Sequence, residues 1–213
     1  MSTTIAIPRG ALFDPVVDLL ERSGLVPSGL LEESRALIFD TGELRLLTVR
    51  PSDVPTYVES GAADLGITGK DVLVEQAELD FLELEDLGVG ECRMVLAAIA
   101  GDPGPAEHER RLGLMKVATK YPAVTRGWFG AAGRQVEIVE LKGSVEIAPI
   151  VGLADAVVDL VATGRTLREN GLEEREQLFV STARLIANVA YYRTNGSECD
   201  RITATLAGAS EAS

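Results

Sequence analysis

The sequence predicts an α/β protein with two lobes, and two observations support that prediction. A β-branched run at residues 4–7 leads through a glycine turn into helical spacing of apolar residues over 11–23, which is the strand-turn-helix unit that opens many α/β folds. A second alternating series begins with a strand at 116–119. Extended stretches separate the two series, so we expect each series to form a lobe of its own.

Extended chain is predicted to connect the lobes. Residues 82–88 and 92–100 have extended patterns, and a long strand at 178–186 leads back towards the first lobe, where helical spacing follows over 188–207. The predicted lobes are residues 1–90 plus 180–213 for the first, and residues 91–179 for the second.

The first lobe continues with a predicted hairpin and a third strand. Apolar residues at 36–39 and 44–49 predict two strands joined by the tight turn 40–43. The next helix follows a proline, and Asp53 suits its amino-terminal cap. Residues 63–68 predict the next strand of the lobe.

Basic residues follow two of these strands. Arg9 and then Gly10 come after the first strand, and Arg50 comes directly after the strand at 44–49. Because open α/β sheets bind ligands at the carboxyl ends of their strands, both arginines are candidate binding residues. The alternative for Arg9 is a surface arginine near a helix start.

The second lobe carries two further candidates. Lys120 stands at a strand end, where it can meet a phosphate or remain a solvated lysine. Glu146 follows a glycine turn, and its alternative role is that of a carboxylate at a helix amino end. The predicted elements before residue 152 are a strand at 116–119, a helix at 123–132, a strand at 136–140 and a short helix near 144–150.

The stretch at 153–167, LADAVVDLVATGRTL, has the most informative pattern. Its apolar run, interrupted by Asp155 and Asp159, predicts a buried strand. The chain then turns through Gly164 within residues 162–166, which we name the anion loop. Unpaired backbone N–H groups and a helix start converge in such a turn, so it can bind a phosphate. The alternative is a buried strand followed by an ordinary turn with threonine caps.

The acids before the anion loop indicate which phosphate compound it binds. Carboxylates repel a bare phosphate tail, but they can hold sugar hydroxyls or a magnesium ion, and this combination suggests a ribose 5-phosphate group. The segment from Asp159 to Thr166 resembles the loop that binds 5-phosphoribosyl 1-pyrophosphate (PRPP) in phosphoribosyltransferases.

Charge and composition exclude several classes of function. The 213 residues have a formal net charge of −13, so the chain has no basic face for nucleic acid. No window approaches the roughly 18 uninterrupted apolar residues of a membrane helix, and we expect a cytoplasmic protein without a membrane partner.

Histidine and cysteine chemistry is not expected either. His108 is the only histidine, and the Pro-, Gly- and charge-rich stretch 101–111 around it predicts an exposed loop. This argues against a Ser-His-Asp triad, a Cys-His pair and a multi-histidine zinc site. Cys92 and Cys199 lack metal-binding spacing, and both are expected to be reduced thiols.

Six blocks in order along the chain resemble the catalytic chain of the ATP phosphoribosyltransferase family. Each block is short, so the match depends on their number and order. The blocks are 7–10 (IPRG), 50–55 (RPSDVP), 63–71 (ADLGITGKD), 118–122 (ATKYP), 143–149 (GSVEIAP) and 152–167.

The resemblance implies a two-lobed fold of the type II periplasmic-binding-protein kind, with the active site in the interlobe cleft. It also implies the reaction, in which adenine N1 of ATP attacks C1 of PRPP and magnesium pyrophosphate leaves. Mg2+ is then the cofactor, carried by PRPP rather than held by a dedicated protein site.

Residue roles follow from the motif positions of the resemblance. Glu146, Asp159 and Arg9 are the implied catalytic residues. The PRPP-binding residues are Asp159, Ala162, Thr163, Gly164, Arg165 and Thr166. The residues implied to bind ATP or pyrophosphate are Arg9, Gly10, Arg50 and Lys120. The role of Asp155 stays open.

The resemblance also implies a partner. Longer family members have a carboxyl-terminal regulatory domain that binds histidine, and this sequence looks like the short form without it. Short forms assemble with a regulatory subunit similar to histidyl-tRNA synthetase, so we expect dimers of this chain within a hetero-oligomer. The rival hypothesis is a non-catalytic small-molecule binding protein, because the same two-lobed fold serves solute capture. Asp159 beside an anion loop favours the enzyme.

Overall fold

The computed structural model describes residues 2–30 and 36–211, which form two compact units. The first unit is Met1–Glu91 with Thr182–Ser213, and the second is Cys92–Ser181. The strands of the described residues are β1 Thr3–Pro8, β2 Ile38–Asp40, β3 Leu44–Val49, β4 Leu65–Gly69, β5 Leu82–Asp86, β6 Cys92–Ile99, β7 Met115–Thr119, β8 Val136–Glu140, β9 Ala156–Val161, β10 Leu172–Ser181 and β11 Ala183–Ala187.

Helices follow most of the strands. Among the described residues, no helix is both long and apolar enough to cross a lipid bilayer. The α-helices are α1 Phe13–Arg22, α2 Val54–Glu59, α3 Lys70–Glu75, α4 Gly104–Leu112, α5 Pro122–Ala131, α6 Ile147–Ile150, α7 Arg165–Glu169 and α8 Val189–Glu211.

The first unit has a six-stranded mixed sheet in the order β2-β3-β1-β4-β11-β5. β1 pairs in parallel with β3 and β4, whereas β11 runs antiparallel to β4 and β5. Helical spacing places Leu19 and Leu20 of α1, and Ile202 and Leu206 of α8, in one buried cluster with Ile5 of β1. These helices bury the apolar residues of the sheet.

The second unit has a five-stranded mixed sheet in the order β10-β6-β9-β7-β8. β9 lies at its centre, antiparallel to β6 and parallel to β7. Its apolar run is almost entirely buried, as expected for a strand covered on both faces. Because β7, β8 and β9 are parallel, their carboxyl ends lie at one edge of the sheet.

The predicted exposed loop at 101–111 is wrong, because the chain forms α4 there. Pro103 precedes the helix and Gly113 ends it with a φ of 68°. Proline near the start and glycine just past the end are ordinary helix boundaries, and the prediction took them for loop residues. His108 is therefore a helix residue, and its Nδ1 lies 2.7 Å from Asp155 Oδ1.

The predicted long strand at 178–186 is two strands in different sheets. β10 pairs with β6 in the second unit, and β11 pairs with β4 and β5 in the first. Only Thr182 separates them. A continuous β-branched run does not show where a chain passes from one sheet to another, because that point depends on which distant strands each half pairs with.

Asp53 does not cap the helix that follows Arg50. A 3-10 turn at Pro51–Asp53 comes first, and Asp53 then occupies the position before α2 without making a side-chain cap bond. Its Oδ1 instead accepts a hydrogen bond from the Ser52 hydroxyl at 3.1 Å. The predicted cap was therefore correct in position and wrong in its hydrogen bond.

Gly66 in β4 provides a test of the packing of the first unit. An added Cβ would lie 2.6 Å from Val54 Cγ1 and 2.7 Å from Val58 Cγ2. We expect Gly66→Ala to reduce the free energy of unfolding by about 1–3 kcal/mol, because both valines are fully buried. Denaturant unfolding measures this change.

The control Gly130→Ala lies in α5 with open space around it, and it should raise stability by up to about 1 kcal/mol. Equal stability of wild type and Gly66→Ala would contradict the packing.

Candidate active site

A pocket of about 260 Å3 lies in the second unit, where β9 ends. Every residue that lines it belongs to this unit. The anion loop forms one part of the wall, and acidic side chains form another. The lining residues are Glu146, Asp159, Leu160, Val161, Ala162, Thr163, Gly164, Arg165, Thr166 and Leu167.

The anion loop makes a tight turn between β9 and α7. Gly164 has a φ of 71° in the left-handed region, a conformation that glycine adopts without strain. The N–H groups of Gly164, Thr166 and Leu167 donate to no backbone carbonyl of the described chain. Such orphan donors at a helix start attract anions. Because α7 has only five residues, these N–H groups matter more here than a long helix dipole.

The side chains of the loop leave this backbone accessible. Thr163 Oγ1 accepts the N–H of Arg165 at 3.4 Å, and both threonines of the loop are exposed. The Arg165 side chain is 79% exposed and pairs with Glu169 at 2.7 Å. Arg165 can therefore exchange this surface partner for an anion at little cost.

Asp159 is a buried carboxylate that faces the same pocket. The residue is only 8% exposed, and its Oδ1 lies 3.5 Å from Lys120 Nζ. Burial raises the pKa of Asp159, the Lys120 charge opposes that shift, and the nearby charge of Glu146 adds to it. Lys120 follows β7, which is the neighbour of β9 in the sheet.

Glu146 reaches the pocket from the turn before α6. It occupies the position before that helix and is half-buried. Ser144, two residues earlier, has a φ of 45° and is the only described non-glycine residue with positive φ. Such a conformation is uncommon outside glycine, and strained residues of this kind cluster at functional sites.

The two carboxylates suit a hard cation or sugar hydroxyls. Oxygen donors are the ligands that Mg2+ prefers. No group of three or more His, Cys, Asp and Glu side chains within residues 2–30 and 36–211 is arranged to hold a metal ion. Glu146 and Asp159 can supply two oxygen ligands to such a cation.

Asp155 does not belong to this pocket. It precedes β9, at the end of the strand opposite to the anion loop. Its Oδ2 accepts the backbone N–H of Lys116 at 2.8 Å, and its Oδ1 lies beside His108. The carboxylate connects α4 and β7 to the start of β9, which is a structural role.

Arg9, Gly10 and Arg50 belong to the first unit, whereas the pocket-lining residues belong to the second. β1 and β3 are parallel with Pro8 opposite Val49, so Arg9 and Arg50 follow neighbouring strand ends as predicted. The Arg9 guanidinium donates to Thr48 Oγ1 and to the Ala36 carbonyl, each at 3.1 Å.

Three pocket residues were not predicted. Leu160, Val161 and Leu167 flank the anion loop on both sides and line the pocket. The 153–167 pattern contains them, but apolar residues in a buried strand and a short helix are normally core. Only the position of the pocket distinguishes them from other core residues.

The family model described as "HisG: ATP phosphoribosyltransferase" matches residues 50–208. This chain belongs to the ATP phosphoribosyltransferase family. An ATP phosphoribosyltransferase of Geobacillus kaustophilus is 48% identical over 206 residues, which cover 96% of each protein. One of Pseudomonas aeruginosa is 43% identical over 211 residues, covering 98% of this chain and 97% of that protein.

Solved structures show the same fold. The ATP phosphoribosyl transferase (HisG:HisZ) complex from Thermotoga maritima contains a chain that matches with a TM-score of 0.81 and 35% identity, covering 99% of this ATP phosphoribosyltransferase family member and all of that chain. The periplasmic aliphatic sulphonate binding protein SsuA from Escherichia coli matches with a TM-score of 0.61 and 18% identity over 98% of this chain and 72% of that chain. The fold is thus of the type II periplasmic-binding-protein kind.

The pKa of Asp159 predicts how stability depends on pH. Because burial raises this pKa, the folded state binds the proton more tightly than the unfolded state, and ionised Asp159 lowers stability above the unfolded-state pKa near 4. We expect Asp159→Asn to raise the free energy of unfolding at pH 7 by about 0.5–2 kcal/mol. The gain should shrink as the pH falls towards about 4.

Denaturant unfolding at several pH values measures this effect. The control Asp18→Asn removes a 66% exposed carboxylate that pairs with Arg22, and it should give no gain at pH 7. If Asp159→Asn were less stable than wild type at pH 7, ionised Asp159 would stabilise the fold, which would contradict the raised pKa.

Proposed function

We propose that this chain catalyses the ATP phosphoribosyltransferase reaction, the first step of histidine biosynthesis. Adenine N1 of ATP attacks C1 of PRPP, the C1–O bond to pyrophosphate breaks, and the products are N1-(5-phosphoribosyl)-ATP and pyrophosphate. The observation that carries this proposal is the pocket in which an anion loop and two carboxylates meet. Family membership supports it independently.

The anion loop suits the 5-phosphate of PRPP. The orphan N–H groups of Gly164, Thr166 and Leu167 are donors for phosphate oxygens. The hydroxyls of Thr163 and Thr166 and the guanidinium of Arg165 add donors at the pocket surface. Gly164 adopts the left-handed φ of 71° on which the tight turn of the loop depends.

The two carboxylates suit the ribose ring. As pyrophosphate leaves, positive charge develops at C1 of the ribose, and a nearby carboxylate stabilises it. Asp159 suits this role, because it is only 8% exposed and its Oδ1 lies 3.5 Å from Lys120 Nζ. Glu146 lines the same pocket and can accept hydrogen bonds from the ribose hydroxyls. Adenine N1 is itself a nucleophile, so the residues mainly position and stabilise charge.

Basic residues suit the nucleotide and the leaving group. Arg9, Gly10 and Arg50 lie at the carboxyl ends of β1 and β3, and Lys120 lies beside Asp159. Cations there can neutralise the triphosphate of ATP and the departing pyrophosphate. Arg9 must then release or share the Thr48 hydroxyl and the Ala36 carbonyl.

Mg2+ is part of the proposal as the ion that PRPP carries. When bound, it supplies positive charge that stabilises the pyrophosphate leaving group. Glu146 and Asp159 are the residues that would hold it together with substrate oxygens. The oxygen ligands that these two carboxylates offer support this part of the proposal.

The partner is proposed from the Thermotoga maritima structure, a HisG:HisZ complex. We expect this chain to form dimers within a hetero-oligomer that contains a HisZ-like subunit similar to histidyl-tRNA synthetase. A biosynthetic role that uses ATP and PRPP fits a cytoplasmic location.

Product formation tests the proposed reaction. The purified chain, mixed with ATP, PRPP and Mg2+, should give N1-(5-phosphoribosyl)-ATP and pyrophosphate, which mass spectrometry detects. Asp159→Asn should lower turnover by about 100-fold or more, because the charge that stabilises the ribose is lost. The exposed-site variant Asp18→Asn serves as the control and should keep wild-type turnover.

Two outcomes would contradict the proposal. Folded protein that yields no product even with a HisZ-like subunit added would exclude this activity and favour a non-catalytic binding role. Wild-type turnover in Asp159→Asn would be compatible with the proposed reaction but would show that Asp159 has no catalytic role in it.

A further inference from the structure

Three charged side chains lie next to the anion loop without lining its pocket. Arg168 belongs to α7, Glu174 to β10 and Arg93 to β6. None of them is among the pocket-lining residues. Nothing in the proposed reaction assigns a role to them.

Arg168 contacts the backbone of the loop directly. Its Nη1 donates a hydrogen bond to the Thr163 carbonyl oxygen at 3.1 Å. The same atom lies close to the position that a side chain at residue 164 would occupy, because a Cβ added to Gly164 would lie 2.8 Å from it. Arg168 therefore contacts both residues that share the 163–164 peptide.

Glu174 and Arg93 lie beside this contact between Arg168 and the loop. Glu174 Oε1 would lie 3.3 Å from the same added Cβ, so it approaches Gly164 beside Arg168. Arg93 Nη2 pairs with Glu174 Oε1 at 2.8 Å. Arg93 is opposite Val161, the last residue of β9. The Glu174 carboxylate offsets part of the positive charge that the two arginines place near the loop.

The hydrogen bond to Thr163 determines which way the peptide points. In a trans peptide the C=O and N–H groups point in opposite directions, and the described chain contains no cis peptide. Arg168 holds the Thr163 carbonyl from outside the pocket lining. The N–H of Gly164 then points away from Arg168, and Gly164 itself lines the pocket.

The opposite orientation of this peptide would be harmful to phosphate binding. Gly164 can adopt either sign of φ with little penalty, so the residue itself does not prevent a peptide flip. A flipped peptide would direct the Thr163 carbonyl oxygen towards the pocket, where its partial negative charge would repel a phosphate.

We propose that Arg168 is a positioning residue that holds the 163–164 peptide with its N–H directed at the 5-phosphate of PRPP. Glu174, which pairs with Arg93, places a negative charge near this guanidinium. This inference rests on the proposed function, because PRPP is the ligand whose phosphate the loop binds.

Calorimetric titration with PRPP and Mg2+ tests the role of Arg168. Arg168→Met keeps the aliphatic stem but removes the donor, and it should raise the Kd for PRPP roughly tenfold. Arg168→Lys keeps a cationic donor and should recover at least half of that loss on a logarithmic scale. The melting temperatures of both variants should match that of wild type, since the side chain is exposed. Arg201→Met, which removes a 49% exposed arginine on α8, should leave the Kd unchanged.

Three outcomes would overturn the inference. They are a Kd of Arg168→Met within twofold of wild type, a Lys variant that binds as poorly as the Met variant, and a loss of affinity that Arg201→Met shares. Failure of wild type itself to bind PRPP would instead count against the proposed function, so the two failures are distinguishable.

Discussion

The backbone at the end of β9 sets the main constraint on the second unit. β9 is buried between β6 and β7, and its hydrogen bonds go to those neighbours. Beyond Val161 the pairing ends, and N–H groups of the anion loop reach the pocket without a backbone partner in the described chain. Buried donors are normally paired, so an anion bound in the pocket would satisfy the N–H groups of the buried residues Gly164 and Leu167.

Charge in the pocket is balanced locally rather than by the whole chain. The net charge of −13 disfavours anions in general, yet backbone donors, Lys120 and Arg165 make one small region suitable for a phosphate. Asp159 is retained there although burial raises its pKa and penalises its ionised form. Ionised Asp159 therefore lowers stability, whereas Asp155 at the other end of β9 contacts His108 and Lys116 and connects parts of the fold.

The sequence was informative where structure is local. The apolar run of β9, the glycine turn and the strand-turn-helix units follow from patterns within about ten residues. The sequence was misleading where distant partners decide. β10 and β11 separate at Thr182 because each pairs with a different sheet. The error at α4 was of another kind, because the local boundary signals Pro103 and Gly113 were taken for loop residues. The contact of Arg168 with Thr163 has no sequence signal, since it depends on how the loop turns.

The most direct test of this account is a titration of the 15N-labelled chain with ribose 5-phosphate, followed by amide NMR. Ribose 5-phosphate contains the phosphate and sugar of PRPP without its leaving group, so it isolates the role of the anion loop. We predict that the largest amide shifts occur at Gly164, Thr166 and Leu167, with smaller shifts near Glu146. Saturable binding that leaves these amides unchanged and shifts only residues of the first unit would contradict the central claim.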